Sequence, residues 1–208
     1  MSAAMAGAQT FYGSTDTKAF REFRDKEFRD KKKSALKEED FAGFTGLNYY
    51  PEDGNFKVKA KFTRTADEKY FQMPTSSGMM KTYIKHGVLE FNIDGKANTL
   101  AVYQADQATL EKYPEYADLL FIPFKDVTNR TETYGGGRYI DIKILAGEKE
   151  VTLDFNLAYN PKCAYGGDKW SCPIPPRENS LDIEIKAGEK RYAYTASGAE
   201  KPEAPGKN

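Results

Sequence analysis

The middle of the chain reads Val88-Leu89-Glu90-Phe91-Asn92-Ile93, then Asp94-Gly95, then Leu100-Ala101-Val102-Tyr103 a few residues later. Asp-Gly between two such segments is a strong signal for a β-hairpin, because both residues accept the positive φ angles of a tight type I′ turn. Strand character extends outward to residues 56–62, which alternate strictly, and to residues 70–73, 81–85 and 119–124. The sequence therefore predicts a mainly β fold, an antiparallel β sandwich or a partly closed β barrel.

The N-terminal part of the chain has a helical pattern. Over residues 15–38, Phe20, Phe23 and Phe28 share one face, and charged residues that include Arg24 cover the other. Residues 1–14 are small and polar, and residues 197–208 are rich in proline, glycine and charge, so we expect a disordered start and a loose tail. The remaining residues, 15–196, are predicted to form a single β domain with an N-terminal helical arm.

Two segments resemble each other. Residues 140–149 and 181–190 both alternate and then reach the same Ala-Gly-Glu-Lys sequence. Each copy is typical of a strand that enters a tight turn, with a returning strand beyond it. Two copies are too few for a repeat protein, so we interpret them as two similar hairpins.

Composition excludes several classes of protein. The 208 residues carry 31 basic and 31 acidic side chains, which argues against a nucleic-acid-binding protein. No apolar run is long enough to span a membrane. One histidine and two cysteines do not make a zinc site, so no metal is predicted. The first residues lack the features of a signal peptide, which predicts a cytoplasmic protein, or an exported one if they are a trimmed mature end.

Unusual residues concentrate between Tyr134 and Asn179. Gly135, Gly136 and Gly137 precede Arg138, and three such glycines allow backbone N–H groups to form an anion-binding nest beside a guanidinium group. The alternative is a glycine-rich bulge whose arginine pairs with an internal carboxylate. Asp154 is the natural partner, since Asp154 and Asn156 are expected on one face of a strand.

Aromatic side chains from the same stretch are predicted to wall a pocket at the mouth of the barrel. The predicted ligand-binding residues are Tyr134, Gly135, Gly136, Gly137, Arg138, Asp154, Asn156, Tyr159, Tyr165 and Trp170. The arginine favours a small anionic ligand. The residues predict no particular cofactor, reaction or oligomeric state, so an enzyme and a binding protein both remain open. The alternative function is a non-catalytic, envelope-associated interaction module in which this stretch is a rigid crossing.

Cys163 and Cys172 allow three interpretations. Two reduced structural thiols rank first, because that is the common state of cysteines in cytosolic proteins. A disulfide that closes a small loop ranks second. A reactive Cys163, with its pKa lowered by Lys162, ranks third.

A series of short motifs follows in a fixed order along the chain. The motifs are Met73-Pro-Thr-Ser-Ser-Gly78, Phe121-Ile-Pro-Phe-Lys-Asp126, Thr133-Tyr-Gly-Gly-Gly-Arg-Tyr139, Leu153-Asp-Phe-Asn156, Ala158-Tyr-Asn-Pro161, Cys163-Ala-Tyr165, Cys172-Pro-Ile-Pro-Pro176, Glu178-Asn179 and Ala187-Gly-Glu-Lys190. Together they resemble the DUF1684 family, uncharacterised proteins of bacteria and archaea. The resemblance covers roughly residues 20–194. It implies one domain centred on residues 134–179, and it implies no activity and no catalytic residue.

Overall fold

The structure is a computed structural model that describes residues 14–66, 68–166 and 169–192. The α-helices in these ranges are α1 (Thr17–Arg29) and α2 (Gln107–Lys112). The strands are β1 (Lys57–Arg64), β2 (Phe71–Pro74), β3 (Met80–Ile93), β4 (Lys96–Ala105), β5 (Leu120–Phe124), β6 (Arg138–Ile142) and β7 (Glu150–Asp154). Short 3-10 helices cover Glu38–Asp40, Gly54–Phe56, Pro114–Tyr116, Phe155–Leu157, Lys162–Tyr165 and Arg177–Asn179.

The seven strands form one sheet in the order β6-β5-β4-β3-β1-β7, with β2 paired to β3. Every strand pair is antiparallel, and the sheet curls into a half-barrel. The predicted mainly β class with one N-terminal helix is confirmed. No helix in the described ranges is long and apolar enough to cross a membrane.

The Asp94-Gly95 turn joins β3 to β4 as predicted. Asp94 and Gly95 have φ angles of 49° and 76°, both in the left-handed region that this turn requires. The two predicted strands on either side of His86 are one long strand, β3, with a register shift between Lys85 and Gly87. This bulge lets a single strand bend and follow the curl of the sheet.

The two predicted Ala-Gly-Glu-Lys hairpins are wrong. β6 and β7 flank the first copy but lie at opposite ends of the strand order. Residues 181–190 form no strand, and Leu181, Ile185 and Ala187 of this second copy pack into the main hydrophobic core. Alternation reports only that one side of an extended segment is buried, and an irregular segment packed under a sheet satisfies it equally well.

Helix α1 is shorter than predicted. It begins after Asp16, whose side chain accepts a hydrogen bond from the Ala19 N–H at 2.9 Å, and it ends at Arg29. Phe20 and Phe28 are buried as expected, but Arg24, predicted on the solvent face, is buried with them. The predicted disordered start and loose tail fall outside the described residues, apart from residue 14.

Candidate functional site

The two faces of β6 differ in chemistry. Ile140 and Ile142 belong to the main core, so the alternation of a strand turns Tyr139 and Asp141 to the opposite face. Phe121 on β5 lies directly across from Asp141 and faces the same side. This second face is therefore lined by rings and one carboxyl group.

A cleft of about 840 Å³ lies over this second face. Its walls come from β3, the end of β4, α2, β5, β6 and the segments 159–162 and 170–173. Four rings form a continuous line along it, which we call the aromatic row. Centroid distances are 5.6 Å from Tyr83 to Phe121, 4.7 Å from Phe121 to Tyr139 and 5.8 Å from Tyr139 to Tyr159.

Tyr159 reaches the cleft because residues 158–160 extend the sheet past β6. Tyr139 and Tyr159 exchange two backbone hydrogen bonds of 2.9 Å. The Tyr159 hydroxyl donates to Asp141 Oδ2 at 2.5 Å. Burial raises the pKa of Asp141 to about 6, although the bond from Tyr159 and the charge of Arg24 both act to lower it. The carboxyl group of Asp141 therefore keeps its proton to a higher pH than an exposed aspartate does.

Arg24 lies behind Tyr159, with its guanidinium carbon 4.9 Å from the centre of that ring. Its Nη2 atom is 3.4 Å from Glu189 Oε2, in an ion pair whose members are 2% and 1% exposed. Glu189 also accepts hydrogen bonds from the Tyr165 hydroxyl and from the Asn160 N–H and side-chain amide. Burial raises the pKa of Glu189, against the effect of Arg24. This network fixes the backbone on either side of Tyr159.

Three exposed lysines line the cleft, and we call Lys81, Lys112 and Lys162 the rim lysines. None of them forms an ion pair within the described ranges. Partial burial lowers the pKa of Lys81 and of Lys162. Lys162 lies 4.6 Å from the centre of the Trp170 ring, in a cation–π contact. The rim thus carries positive charge next to aromatic surface.

Of the ten predicted ligand-binding residues, Tyr159 and Trp170 line the cleft and the other eight do not. Arg138 is fully buried, with Nη2 2.8 Å from both Asp126 Oδ2 and the Ile185 carbonyl oxygen. Nη1 donates to the Ala187 carbonyl oxygen at 2.5 Å. The predicted partner Asp154 is wrong, and the carboxylate that pairs with Arg138 is Asp126. The arginine holds the C-terminal segment against the sheet.

The glycine loop is packed rather than open. Gly137 has φ 93°, and a Cβ atom there would lie 2.6 Å from the Phe124 carbonyl oxygen and 2.8 Å from Pro175 Cγ. A Cβ atom on Gly136 would overlap the ring of Tyr134. Gly135 and Tyr134 are half-buried beside it. Close packing and a left-handed backbone thus require glycine at position 137, and none of the three glycines lines the cleft.

Asp154 and Asn156 do not share a strand face, because β7 ends at Asp154 and a 3-10 helix begins there. Asp154 Oδ1 accepts from the Asn156 N–H and the Asn156 side-chain amide, both at 2.9 Å. The Asn156 amide exchanges two further bonds with the backbone of Asp53. Lys57 Nζ lies 3.4 Å from Asp154 Oδ2. The hydrogen bonds of Asp154 and Asn156 thus stabilise the end of β7.

Cys163 and Cys172 form a disulfide, with their Cα atoms 6.3 Å apart. The first-ranked interpretation as reduced thiols is therefore wrong, and the second-ranked one describes the structure. The ranking followed the reduced state that is usual for cysteines in cytosolic proteins. The spacing of Cys163 and Cys172 also permits a short disulfide-closed loop. The bond leaves no thiol for the nucleophile considered third.

The disulfide belongs to a clamp at the cleft wall. The Ser76 N–H donates to the Cys172 carbonyl oxygen at 2.9 Å, and the Ile174 N–H donates to the Pro74 carbonyl oxygen at 2.9 Å. The Tyr139 hydroxyl donates to the Pro173 carbonyl oxygen at 2.5 Å. Two motifs that are distant in sequence, residues 73–78 and 172–176, thus meet and hold this wall in place.

Several residues of the cleft were not predicted from the sequence. They are the strand residues Tyr83, Phe121, Tyr139 and Asp141 and the rim lysines. A signal for Asp141 was present, since Tyr139-Ile140-Asp141-Ile142 alternates and places Asp141 on the same face as Tyr139. That this face borders a cleft depends on α2 and on residues 159–173, which strand alternation does not position. No group of three metal-ligating side chains occurs within the described ranges.

The fold and the site together define a curled antiparallel β domain with an aromatic cleft on one face of its sheet. The chain belongs to the DUF1684 family, described as "Protein of unknown function", whose model matches residues 42–190. The chain is similar to an uncharacterised protein from the gene locus rrnAC0354 of Haloarcula marismortui, whose structure was solved by solution NMR. The two are 33% identical, with a TM-score of 0.65 over 83% of this chain and 91% of that one. No curated protein matches the chain.

Proposed function

We propose that the cleft binds a small amphipathic molecule that carries a negative charge. The observation that supports this most directly is the set of three rim lysines, unpaired with carboxylates in the described ranges, around a cleft walled by rings. Aromatic walls bind apolar surface, and lysines at the rim attract an anion while they remain hydrated. A volume of about 840 Å³ falls within the range of roughly 300–1,000 Å³ typical of small-molecule sites.

This proposal keeps the anionic ligand expected from the sequence and changes its location. Tyr159 and Trp170 remain ligand-binding residues. The rim lysines replace Arg138 as the partners of the anion, since Arg138 is already bonded to Asp126 and to backbone carbonyl groups.

Trp170 provides a direct assay, because it is the only tryptophan in the chain and it lines the cleft. Aromatic and aliphatic carboxylates and sulfonates are titrated while Trp170 fluorescence is recorded, and thermal unfolding is measured on the same samples. We expect a saturable fluorescence change together with a rise in Tm for the compounds that bind.

A matched pair of triple variants distinguishes binding in the cleft from attraction of an anion by the overall positive charge of the surface. The cleft variant replaces lysine by glutamine at Lys81, Lys112 and Lys162, and the control makes the same change at the exposed residues Lys33, Lys96 and Lys149. Each rim lysine contributes about 0.5 kcal/mol at an exposed site, so the cleft variant should bind about tenfold more weakly. Equal affinity in the two variants contradicts the proposal.

The alternative function, an interaction module, is favoured by one surface feature. Tyr70, Met79 and Met80 are 55%, 60% and 58% exposed, and Met80 lies at the rim of the cleft. The disulfide suits the exported location of such a module, because disulfides persist in oxidising compartments. Changing Tyr70 and Met79 to serine separates the two functions, because neither residue lines the cleft. The double variant should bind small anions within about twofold of the native chain and lose binding to a protein partner.

A further inference from the structure

We propose that Asp141 is the polar anchor of the ligand, so that the ligand is an amphipathic anion that also carries a hydroxyl or amine donor on its apolar body. This inference rests on the proposed function and names the chemical class of its ligand. The choice of a hydroxyl or amine donor depends on which polar atoms around Asp141 already form hydrogen bonds.

Asp141 has one bonded and one unbonded carboxylate oxygen. Oδ2 accepts the hydrogen bond from Tyr159, and Oδ1 has no hydrogen-bond partner in the described part of the chain. Asp141 is half-buried and lines the cleft, and Phe121 lies across from it on β5. Oδ1 is not sealed from the cleft, so it offers an acceptor to which a donor on a bound ligand can form a charge-assisted hydrogen bond.

The other groups around Asp141 do not supply that donor. The hydroxyl proton of Tyr159 is used in the bond to Oδ2, and the hydroxyl of Tyr139 donates to the Pro173 carbonyl oxygen. Arg24 is bonded to Glu189 and to the Asn160 carbonyl oxygen. The Tyr83 hydroxyl forms no hydrogen bond with Asp141 in the described part of the chain, and its ring stacks on Phe121. The position of Asp141 therefore selects for a donor, while the rim lysines select for an anion.

The neighbouring hydrogen bond also determines what an amide does in place of the carboxyl group. In Asp141→Asn the amide oxygen takes the hydrogen bond from Tyr159, which turns the amide N–H₂ group toward the cleft. A ligand donor then faces another donor and gains no bond. The substitution keeps the shape of the side chain but places a hydrogen-bond donor where the carboxylate placed an acceptor.

The test uses three probes of equal charge and closely similar size, para-hydroxyphenylacetate, para-aminophenylacetate and para-methylphenylacetate. The first two carry a donor, the third carries a methyl group in its place, and the hydroxyl and amine arms show which donor the site prefers. Trp170 fluorescence gives the affinities for the native chain, Asp141→Asn and the control Glu150→Gln, which removes an exposed acid outside the cleft lining. The native chain and the control should bind at least one donor probe about tenfold more tightly than the methyl probe.

Asp141→Asn should lose this preference while it still binds the methyl probe. Tyr159→Phe, which frees both oxygens of Asp141 but removes their orientation, should show a smaller preference than the native chain. If the native chain binds the methyl probe as tightly as both donor probes, the anchor is wrong and the anion-binding cleft stands. If Asp141→Asn keeps the preference, the anchor is also wrong. If none of the three probes binds, the proposed function fails and the anchor fails with it.

Discussion

Asp141→Asn also gives a test that requires no ligand, because burial of the carboxyl group makes stability depend on pH. The ordinary pKa of this side chain is 3.8, and burial raises it to about 6. Each pKa unit corresponds to about 1.4 kcal/mol, so ionising Asp141 costs the folded state about 3 kcal/mol. Because the pKa of Asp141 is higher in the folded chain than in the unfolded chain, protonation of this carboxyl group favours folding. This stabilisation is complete below the pKa of the unfolded chain and is lost as pH rises through the pKa of the folded chain.

The measurement is urea unfolding of the native chain and Asp141→Asn from about pH 4 to about pH 7. The asparagine keeps the hydrogen bond from Tyr159 and cannot ionise. The native chain should therefore lose up to about 3 kcal/mol relative to Asp141→Asn across this interval. Glu150→Gln, which removes an exposed acid outside the cleft lining, is the control. If the difference between the native chain and Asp141→Asn is constant with pH, Asp141 is not desolvated and the reasoning about the cleft fails.

Three further predictions concern the frame around the cleft. Arg138→Ala leaves the carboxylate of Asp126 buried without a counter-charge. Urea unfolding should show a destabilisation of about 3–5 kcal/mol, and a loss below about 1 kcal/mol would contradict a structural role. Gly188 has a left-handed backbone, with φ 75°, and a Cβ atom there would lie 2.6 Å from the Ala158 carbonyl oxygen. Gly188→Ala should therefore lower stability by about 3 kcal/mol or more, measured as a fall in Tm. Replacing Cys163 and Cys172 by alanine should cost about 2.5 kcal/mol through the lost loop constraint, and reductant should then have no further effect on Tm.

The β-hairpin and the strand set could be predicted from the sequence because local chemistry determines them. Asp94 and Gly95 favour a tight turn between two strands, and alternation marks a strand with one buried face. Local chemistry does not determine which strands become neighbours. The Ala-Gly-Glu-Lys segments fit hairpins in every local respect, yet β7 pairs with β1 instead of β6.

The sequence predicted a pocket around Arg138, which does not line the cleft, for a similar reason. Three glycines and an arginine have the composition of an anion site, and the same composition serves close packing around a buried ion pair. The difference lies in Asp126, twelve residues before Arg138, and in the carbonyl groups of residues 185–189, which reach Arg138 only through the tertiary fold. Arg24 was misplaced in the same way, because its partner Glu189 lies at the far end of the chain.

The buried polar network and the cleft are linked through strand geometry. Arg138 points into the interior, so the next residue along β6, Tyr139, must point to the cleft face. Asn160 is bonded to Glu189, and the residue before it, Tyr159, contacts Asp141. Each buried ion pair thus fixes a backbone position whose neighbour supplies a ring to the aromatic row. The motifs that seemed to form the site instead support it, and a change at Arg138 should disturb the cleft through Tyr139 without any contact between the arginine and a ligand.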